Sequence, residues 1–388
     1  MALPLKIIPL INMQNESLLM MPGPVPMPER VRFAMARQAM NHRGAEFGQV
    51  VEETTTMLKE IFCTKNDLLT ISGSGTAGME AAISNFCQGK EIACLVNGKF
   101  GDRLYKVSQR YGNPVALTSD WGTPPLPPLE ALERALEEGA EVVTLVHNET
   151  SAAILNPAEE VGRLAKKHGA LFIMDGITSI GADEVYPDKW GGVDVAITGS
   201  QKCLAAPAGL AAISVSQKAW DAQCENPPFY FDLPAYKKSA AKNQTPFTPA
   251  VPLYLALREA CAIALEEGME ARIARHRQMA DAVRTAADVW GGLSLFAQPD
   301  ALHSYSNTAT AICYPEGITD ADIRGKVKDL GIEVSGGQDH IKGKIFRIGS
   351  MGATGAPELL AVLAWCRVRS RQQDTPSRAT ESLPPARC

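Results

Sequence analysis

The sequence predicts an α/β protein: a large domain on a mostly parallel seven-stranded sheet, followed by a smaller C-terminal α/β domain. Three observations carry this. Short apolar runs alternate with helical patterns from about Glu52 to Val215, the signature of strands joined by crossover helices. Several of those runs are apolar at every position, as strands covered by helices on both faces must be. And 388 residues exceed what one compact core holds, so a second, smaller unit is expected.

The helix candidates of the large domain are Glu53–Lys65, Ala77–Cys87, Leu129–Glu138 and Ala158–His168, with Gly139 and Gly169 as C-terminal stops. The strand candidates are Leu68–Ser72, Ile92–Val96, Val115–Thr118, Val142–Val146, Leu171–Met174, Val193–Thr198 and Ala211–Val215. A Pro-rich stretch, Asn226 to Pro252, then breaks the pattern. Helix candidates Val251–Glu267 and Met269–Val289 follow, then strands Thr308–Cys313 and Lys344–Ile348 with helices Asp320–Leu330 and Pro357–Arg369. The domains are expected at 21–258 and 259–370, after an N-terminal segment 1–20. The polar, Pro-rich residues 371–388 read as a disordered tail.

A net charge of -5 argues against a general nucleic-acid binder, which needs a basic footprint. Nine cysteines, none in a CxxC pair, read as free or buried thiols of a reducing compartment. The six histidines match no metal-ligand spacing, so no metal site is expected. Pro4, Lys6 and Pro9 interrupt the apolar N-terminus and no run is long enough for a membrane span, so a cytoplasmic protein without a leader is expected.

Four features fall at predicted strand ends, where open α/β sheets bind their ligands. Ser72-Gly-Ser-Gly-Thr-Ala-Gly78 joins a strand to a helix, and its small residues let backbone N–H groups face a phosphate. Gly73, Gly75 and Gly78 also spell a dinucleotide fingerprint, and a tight turn that binds nothing has the same look. Asp175 ends the strand Leu171–Met174, a position equally suited to capping the next helix. Lys202 closes Gly199-Ser-Gln-Lys202 and runs into Cys203-Leu-Ala-Ala-Pro-Ala-Gly-Leu-Ala. That apolar setting lowers a lysine pKa and frees the amine to attack a carbonyl. His147-Asn-Glu-Thr-Ser151 ends a fourth strand. A phosphate cradle, an acid and an amine on one sheet edge suit an aldehyde cofactor with a phosphate and a ring nitrogen. A dinucleotide would leave Lys202 idle.

Eight short segments in order resemble the class V, fold type I pyridoxal-phosphate aminotransferases, especially the alanine/serine–glyoxylate (serine–pyruvate) group and its archaeal relatives. They are Asn41-His-Arg-Gly-Ala-Glu-Phe47, Ser72–Gly78, Asn97-Gly-Lys-Phe-Gly101, Asn148-Glu-Thr-Ser151, Asp175-Gly-Ile-Thr-Ser179, Gly199–Lys202, Gln244-Thr-Pro-Phe-Thr-Pro249 and Phe346-Arg-Ile-Gly349. The resemblance implies pyridoxal 5′-phosphate held as a Schiff base by Lys202, with Asp175 on the pyridine nitrogen. It implies Ser74, Gly75, Thr76 and Gln201 at the phosphate, and Phe100 stacked on the ring. Ser151 is implied near the phenolic oxygen, and Arg347 on the substrate carboxylate, with Met21 and Gly23 lining the substrate pocket. Thr245 and Thr248 are implied to reach the phosphate of a neighbouring subunit, hence a homodimer with composite sites.

The implied activity is transfer of an amino group from alanine, serine or aspartate to glyoxylate, pyruvate or 2-oxoglutarate. The sequence offers no clear second cation for a side-chain carboxylate; His42, Arg43, Lys237 and Lys238 are the candidates. Three departures stand out: Met21 where many relatives carry glycine, Ala152-Ala153 for Thr-Gly, and Thr76 where some have histidine. A cysteine desulfurase or lyase of the same class remains open, as do a nicotinamide-dependent dehydrogenase and a binding protein that lost catalysis.

Overall fold

A computed structural model describes residues 17–122, 129–289 and 293–372. The predicted tail, but for its first two residues, and most of the N-terminal segment lie outside the described residues.

All seven expected strands are present: β1 (Asp67–Ser72), β2 (Glu91–Val96), β3 (Asn113–Thr118), β4 (Val142–Val146), β5 (Leu171–Asp175), β6 (Val195–Gly199) and β7 (Leu210–Val215). They form one sheet in the order β1-β7-β6-β5-β4-β2-β3. Only β7 runs antiparallel to its neighbours. The four strands β4 to β7 are buried at every position. Their side chains alternate between two cores: Val143, Leu145, Phe172 and Met174 face one, Val142, Val146, Leu171 and Ile173 the other. The edge strand β3 carries Pro114 and exposes Val115, as an unpaired edge tolerates.

Gly139 and Gly169 stop their helices with φ of 106° and 75°, the left-handed region that glycine enters without penalty. The first long helix spans Ala45–Ile61 rather than Glu53–Lys65, because Phe47, Val50, Val51, Leu58 and Ile61 make one buried stripe. Inside the Pro-rich stretch the sequence reading missed the helix Leu233–Ala240. Asp232 starts it, its side chain accepting from the Ala235 N–H at 3.3 Å.

The helix Val251–Glu267 packs on the large core as far as Ala264, so that core extends past the expected boundary at 258. In the smaller unit, β8 (Ala309–Cys313), β9 (Ser335–Gly336) and β10 (Ile345–Gly349) form an antiparallel sheet in the order β8-β10-β9. The expected helix Asp320–Leu330 is a π-turn, Ala321–Gly325, running into Lys326–Asp329. Leu18–Leu19 pairs with Ile332–Glu333, and Met20 is buried in the small core beside Phe346 and Ile348. Leu18–Met20 thus lie on the small unit, and the chain crosses to the large one at Met21–Pro24. One cysteine departs from the expectation of free thiols: Cys313 is disulfide-bonded. No described helix is long and apolar enough to cross a membrane.

Candidate active site

The parallel strands bring their C-terminal ends to one edge of the sheet, and a cavity of about 300 Å³ opens there. Lys202 and Asp175 both line it, delivered by the turn after β6 and the end of β5. The Lys202 amine donates to the Pro22 carbonyl at 2.6 Å, so the crossing segment from the small unit sets its position. A Cβ on Gly23 would lie 2.5 Å from Lys202 Cδ and 2.6 Å from its Nζ. Only glycine lets the two segments approach this closely.

Burial brings the Lys202 amine down from 10.5 to about 8, with the Arg347 and Arg103 charges acting the same way and Asp175 opposing. Burial pushes Asp175 up to about 7; the hydrogen bond from the Ile177 N–H, 2.8 Å, and the Arg103 and Lys202 charges partly offset it, while the Glu149 charge adds to it. Desolvation penalises each charged form, so both groups sit near the protonation balance that catalysis uses.

The residues expected at the phosphate stand together. Ser74, Gly75, Thr76 and Gln201 line the same cavity. Ser74 starts the helix Gly75–Phe86 without spending its side chain on a cap. The Gln201 side-chain oxygen is buried with no partner among the described residues. The glycines of the turn serve packing: a Cβ on Gly75 would strike Ile177, and one on Gly78 would strike Ile197 on β6. Phe100, on the helix Lys99–Ser108, lines the cavity too. This donor set fits pyridoxal phosphate: a lysine amine, an acid and an aromatic ring in one cavity, and a helix N-terminus for the phosphate.

Several other expected site residues lie outside this cavity. Ser151 does not line the cavity: its hydroxyl donates to Glu149 at 2.5 Å and accepts from the Lys99 N–H at 2.9 Å. The neighbouring Thr150 hydroxyl is buried with no partner among the described residues. Arg347 and Met21 line an adjoining cavity rather than the Lys202 cavity. The Arg347 guanidinium donates to Gly336 O at 3.1 and 2.8 Å and to Thr150 O at 2.9 Å. Thr245 is buried, donating to Phe247 O at 2.7 Å; Thr248 is exposed. Neither lines the cavity of its own chain. Arg43 donates to the Thr245 carbonyl, and Lys237 pairs with Asp67.

Sequence reasoning missed four residues. Arg103 lines the cavity, donates to the Thr76 hydroxyl at 3.2 Å and lies 5.1 Å from the Phe100 ring centroid; its only signal was a position three residues after Phe100 on a helix. Asn148 and Thr178 line the cavity too, and both lay within quoted motifs. Glu149 is fully buried and accepts from the Phe100 and Gly101 N–H groups at 3.0 and 2.9 Å, fixing the helix that carries Phe100. His147 does not line the cavity: it is buried against Ser179, and burial holds it down at about 3.

A family model described as aminotransferase class V matches residues 30–350. An uncharacterised aminotransferase of Methanocaldococcus jannaschii is 44% identical, over 90% of this chain and 91% of that protein. A protein of Synechococcus named as the small subunit of a soluble hydrogenase is 40% identical, over 91% and 92%. A solved structure, the subgroup IV aspartate aminotransferase of Thermus thermophilus, superposes with a TM-score of 0.84 at 29% identity, covering 91% of this chain and 99% of that one.

Proposed function

The chain belongs to the class-V aminotransferase family and uses pyridoxal phosphate, and we propose that Lys202 and Asp175 carry its chemistry on small amino and 2-oxo acids. One observation supports this most: a lysine amine brought down to about 8 and an acid brought up to about 7 line the same cavity at the carboxyl ends of adjacent strands.

The bound cofactor supplies an electron sink and carries the amino group between two substrates. Lys202 holds the cofactor, then moves a proton between the substrate Cα and the cofactor's C4′. The Pro22 carbonyl aims its amine. Asp175 keeps a proton on the ring nitrogen, and that cation in turn favours the Asp175 carboxylate. Ser74, Gln201 and the N–H groups of Gly75 and Thr76 hold the phosphate. Phe100 covers one ring face and excludes water. Arg347 takes the substrate α-carboxylate, its three backbone contacts leaving two of five N–H donors free. Alanine, serine or aspartate serve as donors and glyoxylate, pyruvate or 2-oxoglutarate as acceptors. Exposed Thr248, with Thr245, completes the phosphate site of a second copy in a cytoplasmic homodimer.

Holoenzyme incubated with these donors and acceptors should release one 2-oxo acid per acceptor aminated. Arg347→Ala should lower kcat/KM for every amino acid donor by about 2–5 kcal/mol, the cost of truncating one partner of a buried charged pair. Bound cofactor with no amino transfer for any pairing, or Arg347→Ala with intact turnover, would overturn the assignment.

A further inference from the structure

Asp175 opens a turn that ends at a second buried acid, Asp183. The Ile180 N–H donates to the Gly176 carbonyl at 2.9 Å and the Asp183 N–H to the Ser179 carbonyl at 2.8 Å, so the turn folds back on itself. Asp175 lines the Lys202 cavity, whereas Asp183, 3% exposed, does not. Two side-chain amides converge on Asp183, one on each carboxylate oxygen. Asn148 donates to Oδ2 at 3.2 Å and Asn307 to Oδ1 at 2.5 Å. No cation pairs with Asp183 among the described residues; Arg277, whose charge favours the carboxylate, is itself paired with Glu184 at 3.2 Å. Burial pushes Asp183 up to about 7, with the two amide hydrogen bonds opposing. Burying a carboxyl without a cation costs stability, so filling space does not explain the residue. A carboxylate offers both amides an acceptor and neither a donor.

The two amides belong to different units. Asn148 lines the Lys202 cavity. Its amide nitrogen also lies 3.0 Å from the Thr178 carbonyl oxygen and 2.9 Å from the Thr308 hydroxyl. Thr178, which lines the same cavity, donates its hydroxyl to the Asn148 carbonyl at 2.8 Å. Asn307 and Thr308 lead into β8 of the small unit. Ser350, just past β10, donates its hydroxyl to the Asn307 carbonyl and its N–H to the Thr308 carbonyl, both at 3.0 Å. β8 and β10 pair directly, with Ala311 opposite Arg347. One side chain thus joins the wall of the Lys202 cavity to the sheet that carries Arg347.

We propose that Asp183 is a positioning residue: by holding Asn148 and Asn307 together it sets the Arg347 sheet against the Lys202 cavity, and so determines how tightly an amino or 2-oxo acid is held between them. This rests on the reading of Lys202 and Arg347 as the two ends of the substrate site. Asp183 makes no hydrogen bond to either among the described residues, so its loss loosens the substrate and leaves the chemical step in place.

Steady-state kinetics of the holoenzyme test this with Asp183→Ala, Asn307→Ala and the double variant. Each single change should raise KM for both amino donor and 2-oxo acceptor about tenfold with kcat little altered, the mark of lost binding common to ground and transition states. The cofactor should stay bound through dialysis. Both changes cut the same link, so the double variant should be no worse than the worse single one. A purely structural role would lower Tm and leave KM where it is. KM unchanged in both single variants, kcat falling at constant KM, or effects that multiply in the double variant would overturn the proposal. Should Asp183→Ala fail to fold, Asn307→Ala decides alone, since it cuts the link from the small unit and leaves the bond between Asn148 and Asp183 in place. If the wild-type protein turns over no amino acid, the assignment of function falls, and thermal unfolding decides the link: non-additive losses of Tm support it and additive losses overturn it.

Discussion

Cofactor capture by the apoprotein should depend on pH as a lysine near 8 dictates, not as a free lysine does. Lowering the Lys202 amine from 10.5 to about 8 raises its neutral fraction at pH 7.5 from roughly a thousandth to about a quarter. Only the neutral amine attacks the aldehyde, so the rate of covalent capture should climb with pH and level off just above 8. Stopped-flow absorbance in the visible, with the apoprotein mixed with pyridoxal phosphate across pH 6 to 10, reads this directly. Borohydride reduction followed by peptide mapping should place the label on Lys202. Because the Arg347 and Arg103 charges also hold the amine down, Arg347→Gln should move the plateau to higher pH. A capture rate still rising at pH 10, or a label on another lysine, would show that the cavity does not tune this amine.

Asp175→Asn should reduce transamination roughly 10²- to 10⁴-fold, the range over which a positioned proton carrier acts, while equilibrium dialysis still finds bound cofactor; near-normal turnover would reduce Asp175 to a cap on Ile177. Gly23→Ala places a methyl 2.5 Å from Lys202 Cδ at a residue with φ of 89°, a strain of about 1–3 kcal/mol. It should slow cofactor capture and lower Tm together, and capture at the wild-type rate would mean that the crossing segment does not set the amine.

The large sheet was legible because burial on both faces forces near-continuous apolar runs, a mark that β4 to β7 carry throughout. The exit points of Asp175 and Lys202 followed from it, since a polar residue right after such a run stands at the sheet edge. The helix Ala45–Ile61 was read short because its first turn fell inside a motif quoted for its chemistry. The adjoining cavity was illegible for a different reason. Met21, Arg324, Lys342 and Arg347 are scattered along the chain, and only the crossing at Met21–Pro24 brings them together. Which of the adjacent hydroxyls of Thr150 and Ser151 the buried Glu149 takes up is a matter of three dimensions, since the two look alike in sequence.

The charges around the Lys202 cavity explain why one fold can hold a lysine and an aspartate there without fusing them into a structural ion pair. No hydrogen bond joins Lys202 to Asp175; the amine is bound to Pro22 and the carboxylate to the Ile177 N–H. Each feels the other only as a distant charge, and burial outweighs that attraction for both. Had the two been in contact, mutual stabilisation would have driven the lysine up and the acid down, leaving an amine too protonated to attack an aldehyde. The absence of a contact keeps Lys202 free to attack.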